Sequence, residues 1–355
     1  MPLSADPKTQ SFEAIFQADF KRLGAQLDCI DFNHKTILIS GATGFFGAWL
    51  LALCKWVDDV KRPDGFRVIA LSRNPAQFLD RHPWAAPLRW LEWITGDVRW
   101  FDIPARPVDW VIHAATDSSA EAGRRPELLL DTMVAGTRHM LDCARQCHAS
   151  RMVLVSSGAV YGSQAPEVSH QSEDSSAARE PFLTPSSYGE GKRAMELLGA
   201  AYAEQTDCAV MLARCFAFVG PGLPLDGHFA IGNFIRDAME RPQLCVGGDG
   251  VGRRSYLYAA DLAIWLMRIL SGGRSKRAYN VGSDQDVSIA ELAHCVASVL
   301  APGKPVVIEN RLAPSAVGNR YVPSIARARQ ELGLDVWTSL PDAVAATAAW
   351  KPPCL

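Results

Sequence analysis

Tyr188 and Lys192 stand four residues apart in Tyr188-Gly189-Glu190-Gly191-Lys192. On a helix the i and i+4 side chains share one face, so the lysine ammonium lies beside the phenol. A fixed positive charge favours the phenolate, and a tyrosine whose free pKa is near ~10 becomes a usable proton carrier. The bland reading of the same pair is a surface tyrosine and a solvated lysine. One strand–helix step earlier, an apolar run ends in Val155-Ser156-Ser157-Gly158-Ala159-Val160-Tyr161-Gly162. Two hydroxyls at the C-terminal end of a buried strand face the crevice where open α/β sheets bind ligands. Phenol, ammonium and hydroxyl together suit the movement of one proton at a carbon–oxygen bond.

Gly41-Ala42-Thr43-Gly44-Phe45-Phe46-Gly47 follows a predicted strand and opens an apolar helix. Glycines there permit a tight turn and let backbone N–H groups approach a pyrophosphate, whose charge the helix N-terminus favours. The spacing is GxxGxxG, which gains weight from the strand before it and the helix after it; a plain strand–helix turn is the alternative. The second strand ends in Ser72-Arg73-Asn74, without a carboxylate to accept the ribose hydroxyls. Arg73 can instead pair with a 2′-phosphate, with Ser72 and Asn74 adding hydrogen bonds, so NADP is favoured over NAD. An arginine stacking over adenine or facing solvent is the competing reading. Asp97, in Gly96-Asp97-Val98, either accepts the adenine amino group or caps a helix.

The elements that must hold these groups alternate. Short apolar runs at Thr36-Ser40, Arg67-Ser72, Trp90-Thr95, Trp110-Ala114, Met152-Ser156 and Val210-Arg214 read as strands. Helical patterns at Ala48-Val60, Leu128-Ala149, Ser187-Gln205 and Ile231-Glu240 are interspersed with them. This alternation predicts an α/β fold with a Rossmann-type, doubly wound parallel sheet. Ahead of it, Phe12, Phe16, Phe20, Leu23 and Leu27 recur at helical spacing, so residues 1–34 form a helical extension packed on the body. The dinucleotide-binding unit is expected over 35–214. A smaller, mixed C-terminal lobe for substrate is expected over 215–355, with some segments returning to the main unit.

The 355 residues are 48% apolar and 21% charged, ordinary for a globular chain. With 36 basic and 38 acidic residues there is no field to recruit nucleic acid. No apolar run reaches the ~18–20 residues of a spanning helix, so no membrane partner is expected. The first residues lack a basic segment followed by an apolar core, so a cytoplasmic protein is expected. Nine cysteines form no paired CxxC pattern, and no metal site is expected. Cys143 and Cys147 read as buried small side chains.

These blocks, in this order, resemble the extended short-chain dehydrogenase/reductase family, in particular its nucleotide-sugar epimerases, dehydratases and reductases. Further support comes from His113-Ala114-Ala115, Val219-Gly220-Pro221-Gly222, Gly248-Asp249-Gly250 with Arg254, Tyr258 and Asp261, and Tyr279-Asn280-Val281-Gly282-Ser283. The resemblance spans Lys35 to about Gly333. It implies Tyr188 as general acid/base, Lys192 as the group that holds the nicotinamide ribose and lowers the tyrosine pKa, and Ser157 as hydrogen-bond partner of the reacting sugar oxygen. Ser156 is then a structural hydroxyl. Val98, Ala114, Ala115 and Thr116 join the glycine-loop residues along the cofactor. Arg254 and Arg311 resemble contacts to the substrate diphosphate, with surface salt bridges as the alternative. Asn233 either contacts the nucleotide or starts a helix, and Asp261 reads as an N-cap. Related enzymes often dimerise through the long helix and the helix carrying Tyr188. A homodimer is therefore implied, with Leu129, Met133, Met140, Leu141, Met195, Leu197 and Leu198 as interface or core.

Departures from the family pattern narrow the reaction. Dehydratases of the family place an acidic pair after the catalytic hydroxyl, decarboxylases a glutamate in the same loop, and reductases that also epimerise a cysteine. Gly158 and Ala159 stand there instead. What survives is hydride transfer at one sugar carbon of a nucleotide-diphosphate sugar, with Tyr188 moving the proton. Keto-sugar reduction is slightly favoured by Arg73; a hydroxyl epimerase that retains NAD is the alternative. Ala217 and Met133 replace asparagines common in the family, so the substrate pocket departs from the pattern. Weaker rivals are reduction of a non-nucleotide ketone and a binding protein without turnover; the presence of tyrosine, lysine and hydroxyl together argues against the latter.

Overall fold

The computed structural model describes residues 9–116, 124–175, 187–227, 229–309 and 320–350. Six strands arise in order: β1 (Thr36–Ser40), β2 (Arg67–Ser72), β3 (Leu91–Thr95), β4 (Trp110–His113), β5 (Arg151–Ser157) and β6 (Ala209–Cys215). With a late strand, Arg277–Val281, they form one seven-stranded sheet in the order Arg277–Val281, β6, β5, β4, β1, β2, β3. Every neighbouring pair is parallel. The order reverses between β1 and β4, and a ligand crevice opens at such a reversal, beyond the carboxyl ends of the strands.

Apolar residues run through the strands because both faces are covered. Successive side chains point to opposite faces. Ile37, Ile39, Val68, Ala70, Ile112, Val153 and Val155 enter one core. Leu38, Ile69, Leu71, Val111, Met152 and Leu154 enter the other. The second core is closed by the helices Pro126–Gln146 and Ser187–Gln205, through Met140, Leu141, Ala144 and Met195. The first is closed by α1 (Phe12–Leu23), α2 (Phe45–Trp56) and the almost wholly buried helix Ala259–Gly272.

The N-terminal extension is helical as its spacing predicts. Ser11 caps α1 by accepting the Ala14 N–H at 3.1 Å, and Phe12, Phe16, Phe20 and Leu23 are buried. Gln10 pairs with Trp350, so the two ends of the described chain meet. The late strand Arg277–Val281 joins the main sheet beside β6, while three small sheets and the helices Ala230–Glu240 and Ile289–Leu300 build the mixed lobe. Arg253–Ser255 lies between Asp286–Ser288 and Arg320–Tyr321 in the three-stranded one.

Some boundaries and roles differ from the sequence reading. Helix α2 starts at Phe45 because the glycine loop leads straight into it. A short helix that the apolar pattern does not signal, α3 (Pro75–Arg81), follows β2; Asn74 caps it by accepting the Gln77 N–H at 3.1 Å. Asp261 is not an N-cap: it sits inside the first turn of its helix and accepts from the backbone N–H of Trp337 and Thr338 and from the Thr338 hydroxyl. Leu129, Met133, Met140, Leu141 and Met195 are buried within this chain, whereas Leu197 is 72% exposed.

Candidate active site

The glycine loop is shaped by close approach. Gly41 has φ of +69°, and a Cβ there would lie 2.9 Å from the Ala114 backbone. A Cβ on Gly47 would lie 2.3 Å from the Ala42 carbonyl carbon, so only glycine lets α2 begin this near β1. Gly44 is the residue before α2, and the first N–H groups of a helix have no partner within it. A cavity of about 660 Å³ runs past this loop. Its walls include Gly41, Thr43, Gly44 and Phe45, then Ser72, Arg73 and Asn74, then Asp97 and Val98, then Ala114, Ala115 and Thr116. Phe46 turns instead against Phe218, with ring centroids 5.0 Å apart, and Gly47 serves as the packing position beneath the loop.

Side chains around this groove are already committed to different degrees. Ser72 hydrogen-bonds Thr43 at 2.8 Å and accepts the Asn74 N–H at 3.1 Å, tying the two loops together. The Asn74 side chain is spent on capping α3. Asp97 does not cap a helix: it takes the Arg99 guanidinium on both oxygens, which holds its carboxyl below the usual range. Arg73 is exposed on the groove wall, and Arg81 of α3 lines the same cavity; neither forms an ion pair among the described residues. The turn glycines, the helix N-terminus and an end of β2 without a carboxylate fit a nicotinamide dinucleotide.

At the other end of the groove, Lys192 is 2% exposed and donates to the Val155 carbonyl at 2.7 Å and to the Thr116 hydroxyl at 2.9 Å. Thr116 follows the end of β4, where buried Ser40 hydrogen-bonds His113 at 2.8 Å and accepts the Ala115 N–H at 3.2 Å. The Lys192 nitrogen is 5.8 Å from the centre of the Tyr188 ring. Burial lowers the Lys192 pKa to about 8. Burial also pushes the Tyr188 phenol up to about 12, against a hydrogen bond with Ser157 that lowers it. In this arrangement the lysine does not lower the phenol's pKa toward neutral pH, contrary to expectation, and its ammonium is turned to Val155 and Thr116. The resting pair is a neutral phenol and a cation.

Ser157 ends β5 and accepts the Ala159 N–H at 3.1 Å. Ser156 points the other way and donates to Glu196 at 2.5 Å. Glu196 receives Arg214 in two parallel bonds, 2.7 and 3.0 Å, and Arg214 reaches the Tyr161 hydroxyl at 2.9 Å. Tyr161 in turn donates to Asn280 at 2.8 Å. This buried network spans β5, β6, the Tyr188 helix and the late strand, and forms the floor beneath Ser157.

Arg254, in the small sheet, donates to the Arg253 carbonyl at 2.8 Å, and burial lowers its pKa. Asn233 lies four residues into its helix, whose N-cap is Phe229, and accepts from Arg236 at 3.2 Å; it does not start the helix. Arg311 lies outside the described residues. Sequence reasoning misses Tyr321, because no local motif marks it. Its hydroxyl lies so near the residue after Ser157 that a Cβ on Gly158 would come within 2.8 Å of it, and it reaches the site by strand pairing opposite Arg254.

The profile of the NAD dependent epimerase/dehydratase family matches residues 37–282. UDP-glucuronic acid decarboxylase 6 of Arabidopsis thaliana is 30% identical over 85% of this chain and 84% of its own length. Among solved structures, a mutant of UDP-glucuronic acid 4-epimerase from Bacillus cereus, in complex with NAD and a UDP-sugar, superimposes with a TM-score of 0.74 at 19% identity, over 89% of this chain and 98% of that one. A dTDP-glucose 4,6-dehydratase from Streptomyces venezuelae with NAD bound gives 0.73 at 24% identity, over 89% and 96%.

Proposed function

The chain belongs to the NAD-dependent epimerase/dehydratase family, and from that premise we propose that it is an oxidoreductase acting at one carbon of a nucleotide-diphosphate sugar, with keto-sugar reduction as its reaction. The observation that carries this reading is Lys192, buried, tied to Thr116 on the groove wall and with its nitrogen 5.8 Å from the centre of the Tyr188 ring. A bound nicotinamide supplies or accepts the hydride. Tyr188 gives its proton to the carbonyl oxygen in reduction and takes one from the hydroxyl in oxidation, while Ser157 hydrogen-bonds the same oxygen. Lys192 keeps a positive charge beside the phenol that steadies its anion. Arg254, on the strand that also pairs with Tyr321, suits the diphosphate of the substrate.

NADP is the cofactor this reading favours. Arg73 and Arg81 place two guanidinium groups, without ion-pair partners among the described residues, along the cavity near the end of β2, and guanidinium groups match phosphate oxygens. NAD, present in the two neighbouring structures, belongs to the second reading, a hydroxyl epimerase that keeps its cofactor. Decarboxylation, the activity named for the Arabidopsis relative, is not preferred here, because Gly158 and Ala159 place no proton-transferring side chain after Ser157. A cytoplasmic homodimer completes the proposal; the described cysteines are all free thiols, and Leu197 is exposed on the outer face of the Tyr188 helix.

Mass spectrometry of the cofactor released from purified protein, joined to consumption of NADPH or NADH with UDP- and dTDP-linked 4-keto-hexoses, tests the reading. NADPH consumption with either sugar supports it. Retained NAD with no consumption of reduced nicotinamide transfers the assignment to the epimerase.

A further inference from the structure

The cavity along the glycine loop continues past the end of β2 into a bay between the first turn of α2 and α3. Ala48 of α2 and Gln77 and Arg81 of α3 stand on two of its sides, and Phe12 and Trp350 supply another. Phe12 and Trp350 both lie outside residues 37–282, the span shared with the family. This wall is therefore an addition made by the chain's own terminal segments.

The wall is firmly built. The Phe12 ring centre lies 5.1 Å from that of Trp49 on α2, 4.9 Å from His82 and 6.0 Å from Trp350. His82 is nearly parallel to Trp350, with 7° between the ring planes. The Gln10 N–H donates to the Ala349 carbonyl at 2.9 Å, which fastens Trp350 beside the start of α1. Phe12 is buried by these contacts, whereas Trp350 keeps part of its surface open, and its indole N–H has no acceptor among the described residues.

Two chemistries meet in the bay. Arg73 and Arg81 offer guanidinium groups, which match phosphate oxygens, and Trp350 offers an aromatic surface with one polar donor. With a pyrophosphate at the N-terminus of α2, the part of a dinucleotide that reaches the end of the second strand is its adenosine ribose. We propose that Trp350, held by Phe12 and His82, is a cofactor-binding residue that packs against this ribose and the groups it carries, and that cofactor binding is thereby coupled to the docking of α1. A ligand that touches the wall binds better when the wall is in place, so by reciprocity its binding holds α1 down. This inference rests on the groove being a dinucleotide site.

Protein labelled with 5-fluorotryptophan tests the contact, with the Trp350 19F resonance assigned by its loss in Trp350→Phe. That resonance is expected to shift on addition of NADPH or NADH, and with the adenosine halves alone, adenosine 2′,5′-bisphosphate or 5′-AMP, but not with UDP. In calorimetry Trp350→Ala should weaken the dinucleotide about tenfold, the scale of one lost aromatic contact, and Trp350→Phe should recover most of the loss. Hydrogen exchange of the α1 amides should slow with cofactor more than exchange in the helix Ile289–Leu300, which does not border the cavity, and Trp350→Ala should abolish that difference. A nucleotide that binds yet leaves the Trp350 resonance unmoved overturns the contact, and α1 amides slowed no more than those of Ile289–Leu300 overturn the coupling. Absence of calorimetric binding by NADPH, NADH and both adenosine halves would instead refute the dinucleotide reading and this inference with it, a result distinct from a bound nucleotide that ignores Trp350.

Discussion

Tyr188, at rest, is a protonated phenol, since burial drives its pKa upward further than its hydrogen bond with Ser157 brings it down. A neutral phenol is ready to give a proton, which suits reduction of a carbonyl. Tyr188→Phe should lower turnover by about 10²–10⁴-fold while calorimetry shows NADPH binding intact; normal turnover would mean that another group moves the proton. Lys192 is cationic below its lowered pKa of about 8 and loses that charge as pH rises through it. The reductive rate should therefore fall above pH 8, because the phenolate left by proton transfer then has no cation beside it; a rate that stays flat to pH 10 would remove Lys192 from this role. At the opposite end of the groove, Arg73→Ala combined with Arg81→Ala should weaken NADPH about 10²–10⁴-fold and leave NADH unchanged, because charge-assisted bonds to a phosphate are each worth roughly 1.5–3 kcal/mol. Equal losses for both cofactors would show that these arginines do not read the 2′-phosphate.

Among the elements, β5 and β6 carry the site because a buried ion pair fixes what lies beneath it. The Arg214 and Glu196 side chains, 15% and 11% exposed, meet bidentately and hold Ser156 and Tyr161. Removing one partner strands the other charge away from water. Glu196→Gln should cost about 3–5 kcal/mol of unfolding free energy in denaturant at neutral pH, and a loss under about 1 kcal/mol would mean that Arg214 finds another partner. Helix α1 has a different electrostatic weak point. Asp19 accepts from the Tyr258 hydroxyl at 2.7 Å, and burial raises its pKa from 3.8 to about 6. Folded protein therefore binds more protons at this site than unfolded protein between those values, and the stability it contributes in acid is lost as pH rises through 6. Asp19→Asn should be more stable than wild type at pH 8 by up to about 3 kcal/mol, with the gain shrinking toward pH 4. A gain independent of pH would place the effect elsewhere than in ionisation.

For the whole molecule, the strand order decides where chemistry can occur. Reversal between β1 and β4 opens the crevice into which the glycine loop, the end of β5 and the Tyr188 helix all deliver residues. The late strand Arg277–Val281 extends the sheet beyond β6 and brings Asn280 into the network beneath Ser157. The small sheet then pairs Tyr321 with Arg254 at the reactive end. At the end of the groove beside β2, Phe12 and Trp350 also border the cavity, so the packed N-terminal helix is part of the wall of the groove as well as of the core. The fold thus closes the groove with residues drawn from both ends of the described chain.

Local periodicity sufficed for the elements: the extents of β1 and β2, the Tyr188 helix and the aromatic stripe of α1 are set by neighbours in sequence, as apolar alternation and helical spacing are. The glycine loop and the Tyr188–Lys192 pair were legible for the same reason, since their geometry is contained within a few consecutive residues. What burial does to a pKa is not local, so the direction of the Tyr188 shift and the turning of Lys192 to Thr116 emerged only once the sheet had closed around them. Partners far apart in sequence, Glu196 with Arg214, Asp261 with Thr338 and Tyr321 with Arg254, were fixed by strand order and packing. A long-range contact is chosen by how the layers dock, and no short stretch of sequence records it.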